Sequence, residues 1–345
     1  MQTAGRLPDG CGFTLMAKEK PRIKFGLPFD YRTRALVEGE VRIEGYDLEI
    51  IHAFASPGER HYRFAQGEFD VGEFSAATFL RSREKAPRFV ALPVFFDRGP
   101  RQRNIFYCED KLKHPSELKG KKIGCFRYGA TAVVWARGFL LDEYGLRTPD
   151  MGWYVSGQEV YIGRELPVKV ERLEPPTPFG QEKPVLARLV SEGKLHAALV
   201  AGDIGYLGIF GGGSLPKIMG EFPGVKPLFE DTEEIIRHIK RTRIYPIIHL
   251  IAMKAEIAER DPDLPAKLIK AFRAAKELGV KKYMSTDEIT GYEKEKAVLE
   301  EDPYAHVLGE TEKRTMLALI RYQIEQGLMK NELSLESLFV RAAFA

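Results

Sequence analysis

The chain has 345 residues, with 52 Lys and Arg against 49 Asp and Glu, a formal charge of +3. That length predicts about two domains at roughly 100 to 200 residues each, and 44% hydrophobic with 29% charged residues excludes a disordered or fibrous chain. So small a net charge gives no basis for nucleic-acid binding, and no stretch reaches the ~18 consecutive apolar residues of a membrane span.

Residues 1–20 contain Gly, Pro and charges but no apolar run of the length a secretory signal requires. They are expected to form a flexible tail, and the protein is expected to be cytoplasmic. Arg22 to Leu27 is a strand candidate running into Pro28-Phe29-Asp30-Tyr31, where Asp30 can cap a helix over Arg32 to Val37. Strand and helix then alternate: a strand over Tyr46–Ile51, a helix over Pro57–Ala65, a short strand over Phe69–Val71, a helix over Ala76–Arg83, and strands over Phe89–Phe95 and Ile105–Cys108. After Lys111, a short helix at His114–Leu118 and a strand after Gly120 precede a strong helix opened by Gly129-Ala130-Thr131 and reaching Tyr144. Strands follow over Trp153–Val155, Val168–Leu173 and Ala197–Ala201, with a helix over Pro184–Glu192.

Ser156–Pro167 and Glu174–Pro184 read as loops, the second rich in proline. The Gly211-Gly212-Gly213 tract is a loop and no phosphate cradle, since neither GK[ST] nor GxGxxG surrounds it. Asp231–Arg241 is a charged helix, Tyr245–Met253 (YPIIHLIAM) a buried strand, and Pro265–Lys282, Thr286–Leu299 and Glu310–Gln326 are helices. The alternation predicts an α/β fold with helices on both faces of the sheets. Because one apolar strand and helices come last, the C-terminal segment is expected to return to the first unit. Residues 21–108 plus 245–345 would then form lobe 1 and residues 109–244 an inserted lobe 2, with a ligand in the cleft between them.

Cation type is unevenly distributed: twelve Arg and two Lys lie between Arg22 and Arg103, whereas Lys outnumbers Arg from Lys240 onward. Guanidinium groups suit bidentate binding of planar oxyanions, which points to a carboxylate or phosphate ligand. Cys11, Cys108 and Cys125 are odd in number and lack CxxC spacing, fitting a reducing compartment and arguing against a disulfide framework. Cys108 and Cys125 are expected to be buried thiols.

PSELKGKKIG (Pro115–Gly124), followed by a strand, a small-residue turn and a helix, is similar to the second-lobe entry of type II periplasmic binding proteins. FDYRTRALVEGEVRIEGYDLEI (Phe29–Ile50), FDVGEFSAATFL (Phe69–Leu80), ALPVFFDRGPRQRNIFY (Ala91–Tyr107), GATAVVWARGFL (Gly129–Leu140) and YPIIHLIAM together resemble the 4,5-dihydroxyphthalate decarboxylases. The resemblance runs from about Ile23 to the last helices. It implies a two-lobed, type II periplasmic-binding-protein-like fold with an interlobe cleft. It also implies a carbon-carbon lyase converting 4,5-dihydroxyphthalate to 3,4-dihydroxybenzoate (protocatechuate) and carbon dioxide. The alternative, from a different class, is a cytoplasmic small-carboxylate-binding protein of the same fold without catalysis.

Loss of carbon dioxide para to a hydroxyl needs no organic cofactor, and none is expected. The protein must hold the retained carboxylate, polarise the phenol and deliver a proton to carbon. Arg34 is expected to clamp a carboxylate and Tyr31 to meet the ring or a hydroxyl, while Asp30 serves equally as ligand contact or helix cap. In the next turn, GEFSAA, Glu73 is a candidate base or proton donor and Ser75 a cap or ligand contact. Among Arg98, Arg101, Arg103 and Asn104, one or two side chains, with Arg98 and Arg103 foremost, are expected to meet substrate. Arg127, Tyr128 and Thr131 mark an anion site at a helix start, with Trp135 one turn on and Arg137 on another face. His249 is either hydrogen-bonded structure or the catalytic acid, and His61 is a further acid candidate. No metal-ligand spacing occurs, so a metal could be assembled only from distant residues such as Glu73 and His249, and none is expected. The expected partner is a small aromatic dicarboxylate, with neither nucleic acid nor membrane, and the helical C-terminal region offers a surface for a homo-oligomer.

Overall fold

The computed structural model describes residues 20–157, 165–177, 181–201, 209–210 and 215–344. Cys11, nearly all of the expected tail, the Gly211-Gly212-Gly213 loop and parts of the loops expected at Ser156–Pro167 and Glu174–Pro184 lie outside the described residues.

In chain order the elements are β1 (Arg22–Gly26), α1 (Arg34–Val37), β2 (Asp47–Ile51), α2 (Pro57–Ala65), β3 (Val71–Ser75), α3 (Ala76–Lys85), β4 (Phe89–Phe95) and β5 (Ile105–Cys108). Then come β6 (Lys122–Cys125), α4 (Thr131–Tyr144), β7 (Gly152–Val155), β8 (Val170–Arg172), α5 (Glu182–Ser191), β9 (Ala197–Leu199), α6 (Leu215–Gly220) and β10 (Val225–Pro227). The chain continues through α7 (Thr232–Thr242), β11 (His249–Lys254), α8 (Ala255–Arg260), α9 (Leu264–Tyr283), α10 (Thr286–Leu299), α11 (Glu310–Glu325) and α12 (Leu335–Leu338).

Two mixed sheets result, ordered β2-β1-β3-β11-β4 and β10-β5-β9-β6-β7-β8. In the first, β1 runs parallel to β2 and β3, and β11 lies antiparallel between β3 and β4. Residues 105–108 were expected in the first unit, but β5 pairs antiparallel with β9 and β10 and so belongs to the second sheet.

Local chemistry fixes the helix that borders the site. Ser56 caps α2 by accepting from the Glu59 backbone N–H at 3.1 Å, and Pro57 occupies its first turn, where the missing N–H costs nothing. Helix α4 is buried from Thr131 through Leu140, apolar on nearly every side because it packs against both α3 and α11. The C-terminal α11 thus bridges the two units, while α9 packs on α1 and β4.

Two expected strands shift, each for a physical reason. The strand at Phe69–Val71 instead spans β3, which places Glu73 inside a sheet and not in a turn. The strand expected from Tyr245 becomes regular only at His249. Pro246 has no N–H to give, and the Ile248 N–H bonds the Asp97 carbonyl of the neighbouring connection at 2.8 Å. The two connections between sheets therefore run side by side, with Arg98 bridged to Ile247.

Helix α9 approaches the turn after β1 so closely that a Cβ at Gly279 would lie 1.6 Å from the Tyr31 carbonyl oxygen. Gly279→Ala is therefore expected to cost about 1–3 kcal/mol through overpacking, read as a lower urea midpoint at unchanged slope. An unaltered midpoint would show that the Tyr31–Arg32 backbone yields freely.

Candidate active site

A cavity of about 900 Å³ opens between the two sheet units, within the size range of small-molecule sites. Its walls carry eight Lys or Arg side chains against four carboxylates, an excess suited to a dianion. It lies at the carboxyl end of β3, where ligands bind in open α/β sheets.

At its centre are Glu73 and His249. Strands β3 and β11 pair so that Ser75 stands opposite His249, which makes Glu73 the diagonal neighbour of His249. The Glu73 Oε1 lies 3.0 Å from His249 Nδ1. The other carboxylate oxygen accepts a hydrogen bond from Arg60 of α2. Burial opposes ionisation of Glu73, but the Arg60 guanidinium and His249 outweigh it and hold the carboxyl well below the usual carboxylate range. An ionised carboxylate only accepts, so His249 carries its proton on Nδ1 in this bond and keeps Nε2 for other exchange.

His61 stands edge-on to His249, with ring centroids 4.5 Å apart, and its Nε2 is 3.9 Å from Glu73 Oε2. Burial, followed by the charge of His249, pushes the His61 imidazole down to about 3, so it is neutral at ordinary pH. Asp97, on the connection after β4, places Oδ2 3.9 Å from His249 Nδ1, while its Oδ1 accepts from Arg101 Nη2 at 2.7 Å.

His61, Glu73 and His249 each offer a donor atom, all within 4.8 Å of one another, the ligand types of a two-histidine, one-carboxylate metal site. The distant pair Glu73 and His249 was named from the sequence, and His61 joins it because the group assembles from α2, β3 and β11. Arg60 on Glu73 already places a cation beside that carboxylate, which works against a second, divalent one.

Of the residues singled out in the sequence, Asp30, His61, Glu73, Ser75, Arg127, Thr131 and His249 line the cavity. Asp30 is committed to Arg32, receiving Nε at 3.1 Å and Nη2 at 2.7 Å. Ser75 and Thr131 bond each other at 2.8 Å, tying the end of β3 to the start of α4.

Six expectations are corrected. Arg34 is 43% exposed, donates to Glu38 at 2.7 Å and stacks on Tyr283, because the helix begins two residues later than expected and turns this side chain to solvent. Tyr31 packs beside Met284, Tyr292 and Tyr304, outside the cavity wall. Arg98 is buried, donating to the Pro303 carbonyl and to Glu312, both at 2.6 Å. Arg103 donates to the Ile209 carbonyl at 2.8 Å and to Thr232. Tyr128 is buried with the Arg137 guanidinium 3.7 Å from its ring centroid. Trp135 donates its indole N–H to the Ile247 carbonyl at 2.9 Å and belongs to the core.

The sequence reading missed Arg32, Arg60, Asp97 and Lys183 as cavity residues, while Arg101, one of the four loop residues expected to supply a substrate contact, does line the cavity. Arg60 did carry a signal: it lies one turn before Phe64 on the buried face of α2, and an Arg on an apolar stripe implies a buried partner.

No protein-family profile matches the chain. Among curated proteins, 4,5-dihydroxyphthalate decarboxylase of Comamonas testosteroni is 30% identical over 260 residues, covering 74% of each chain. The chain belongs to the 4,5-dihydroxyphthalate decarboxylase family. The Pseudomonas putida protein of the same name is 35% identical over 131 residues, 37% of this chain and 50% of that protein. Among solved structures, the periplasmic aliphatic sulphonate binding protein of Escherichia coli superimposes with a TM-score of 0.57 at 13% identity, covering 94% of this chain and 99% of that one. That likeness shows the periplasmic-binding-protein fold. In this decarboxylase-family chain the cavity between the sheets holds the Glu73–His249 pair.

The buried imidazole of His61 has a consequence for stability. In the unfolded chain it takes a proton near its ordinary value of 6.5, whereas folded it resists until about 3. Between those limits the unfolded state binds more protons, so stability is expected to fall as pH drops from about 6.5 toward 3. His61→Gln should flatten that slope by up to about 1.4 kcal/mol per pH unit, measured from urea midpoints. An unchanged slope would mean that this imidazole is not held neutral.

Proposed function

We propose that the protein removes one carboxylate of 4,5-dihydroxyphthalate as carbon dioxide, leaving 3,4-dihydroxybenzoate, with His249 as the proton donor to the ring. The supporting observation is the Glu73–His249 pair, 3.0 Å apart, in the wall of a cationic cavity in a chain of this family. The enzyme is a carboxy-lyase.

The hydroxyl para to the departing carboxylate donates electron density into the ring, making the ipso carbon basic. His249 delivers a proton to that carbon, the bond to the carboxylate then breaks, and its electron pair restores the aromatic ring as carbon dioxide leaves. One proton is consumed per turnover and returned to the imidazole from water. Glu73 orients the ring of His249 and stabilises its charged form. Arg101 and, across the cleft, Arg127 near the start of α4 are suited to hold the retained carboxylate. The para oxygen does the work of an electron sink, so the reaction is proposed to need neither organic cofactor nor metal. Treatment with a chelator should leave activity intact, and lasting loss restored by a divalent ion would overturn that part. A cytoplasmic location is also proposed, in keeping with the buried thiols of Cys108 and Cys125, which are not joined to each other.

Incubation with 4,5-dihydroxyphthalate and 4-hydroxyphthalate should release carbon dioxide, whereas phthalate, lacking the hydroxyl, should bind without turnover. Binding of all three without carbon dioxide would support a carboxylate receptor in place of an enzyme. His249→Gln should lower kcat by about 10²- to 10⁴-fold with a much smaller change in KM. Arg34→Ala, outside the cavity, should keep kcat/KM within about twofold.

A further inference from the structure

Three hydroxyls in the cavity wall, those of Thr78, Ser75 and Thr131, form a chain of hydrogen bonds whose direction is set from one end. Arg81, 4% exposed, is fixed by the Gly129 carbonyl at 3.0 Å and Gln323 Oε1 at 2.9 Å, and its Nη2 donates to Thr78 Oγ1 at 3.2 Å. A guanidinium only donates, so Thr78 directs its own hydrogen onward to Ser75 Oγ at 3.2 Å. Ser75 Oγ lies 2.8 Å from Thr131 Oγ1, which also accepts from the Ala77 backbone N–H at 3.1 Å. Thr131 is 3% exposed, so the pair is a built part of the wall and not a solvated fringe.

Each hydroxyl has one hydrogen and two lone pairs. If Ser75 donates to Thr131, both lone pairs of Thr131 are taken and its hydrogen has no acceptor among the described residues, while Ser75 keeps one lone pair. If Thr131 donates to Ser75, the two roles exchange. In either sense the pair offers the cavity one donor and one acceptor, 2.8 Å apart. A carboxylate only accepts and can use half of that offer. Vicinal ring hydroxyls stand at about hydrogen-bonding distance from each other, and each can both donate and accept, so they use all of it. Ser75 is also the cross-strand neighbour of His249, on the same face of the sheet with about 5 Å between Cβ atoms, so hydroxyls held here keep the ring beside the imidazole.

We propose that the Ser75–Thr131 pair is the specificity element for the substrate's diol, accepting from one vicinal hydroxyl and donating to the other, while the arginines of the wall take the carboxylates. This deepens the decarboxylase reading and rests on it. The start of α4, expected from the sequence to be an anion site, then reads hydroxyls through Thr131.

The test titrates the protein calorimetrically with 3,4-dihydroxybenzoate and with benzoate, which differ only in the two hydroxyls. The wild-type protein should bind 3,4-dihydroxybenzoate about tenfold more tightly, the worth of two ordinary hydrogen bonds. In Ser75→Ala and Thr131→Val that preference should shrink to about threefold or less, with benzoate affinity changed by less than about twofold. Thr131→Ser, which keeps the hydroxyl, should retain the preference. Ser75→Ala leaves the Ala77 N–H its acceptor and decides the matter if Thr131→Val fails to fold. In turnover, Ser75→Ala should raise KM for 4,5-dihydroxyphthalate about tenfold and that for 4-hydroxyphthalate by much less. No saturable binding of 3,4-dihydroxybenzoate, no preference for it in the wild-type protein, or a preference that survives in Ser75→Ala would overturn the assignment. So would a benzoate affinity that falls as far as that of 3,4-dihydroxybenzoate, since the pair would then be a carboxylate contact. A diol preference abolished by Ser75→Ala in a protein that releases no carbon dioxide from 4,5-dihydroxyphthalate would retain the assignment and remove the decarboxylase reading.

Discussion

An ionised carboxylate on a central strand with 3% of its surface exposed is expensive to bury unless a counter-charge and hydrogen bonds come with it. Glu73 meets that requirement with Arg60 on one oxygen and His249 on the other. Each partner comes from a different element, so α2, β3 and β11 must all be in place before the charge is tolerable. β11 is the strand that returns from the second sheet unit, and its antiparallel register beside β3 brings His249 opposite Ser75 and diagonal to Glu73. Removing one partner leaves an uncompensated buried charge, which is far worse than never having had the pair. The same arrangement that makes the carboxylate tolerable also orients the imidazole toward the cavity.

The frame around this centre is held where the two sheet units meet. Arg98 lies on one connection, bridges to the other at Ile247, and reaches the start of α11 through Glu312. A buried pair of this kind is weak evidence of stability, but it specifies one geometry for the crossing. Helix α4 adds a second tie, since it packs against α3 of the first unit and α11 of the C-terminal region, and its Thr131 bonds Ser75 at the cavity edge. The cavity walls are thus positioned from several directions by contacts outside the ligand's reach.

Much of the architecture was legible because strands and helices alternate with distinct periodicities. Pro57–Ala65, Phe89–Phe95, Ile105–Cys108 and Thr286–Leu299 have the expected bounds, and the family resemblance carried the fold. Short elements escaped: β10 (Val225–Pro227) and α6 (Leu215–Gly220) are too brief to show a period. His249 was legible as an ionisable group within an apolar strand, whereas Glu73 was picked out as a turn acid and lies instead inside β3. The arginines were not legible, because guanidinium groups look alike in sequence and are sorted only by tertiary contact. Arg34 and Arg32 differ by two positions, yet one stacks on Tyr283 in solvent and the other is buried with Asp30. Arg98 and Arg101 differ by three, yet one braces the fold and the other lines the cavity.

The charge pattern of the cavity bears on how substrate and product differ. Three of its carboxylates, Asp30, Glu73 and Asp97, each hold an arginine, Arg32, Arg60 and Arg101. These internal pairs contribute little net field, so the excess of eight cations over four anions comes from the other Arg and Lys side chains of the wall. An excess of cations in the wall favours a dianion over a monoanion of the same size. Loss of carbon dioxide removes one of the two charges together with the atoms that carried it, so a monocarboxylate product keeps only one anchor. Loss of that charge weakens the attraction between the cationic cavity and the product, so the cavity's charge favours a dicarboxylate over a monocarboxylate.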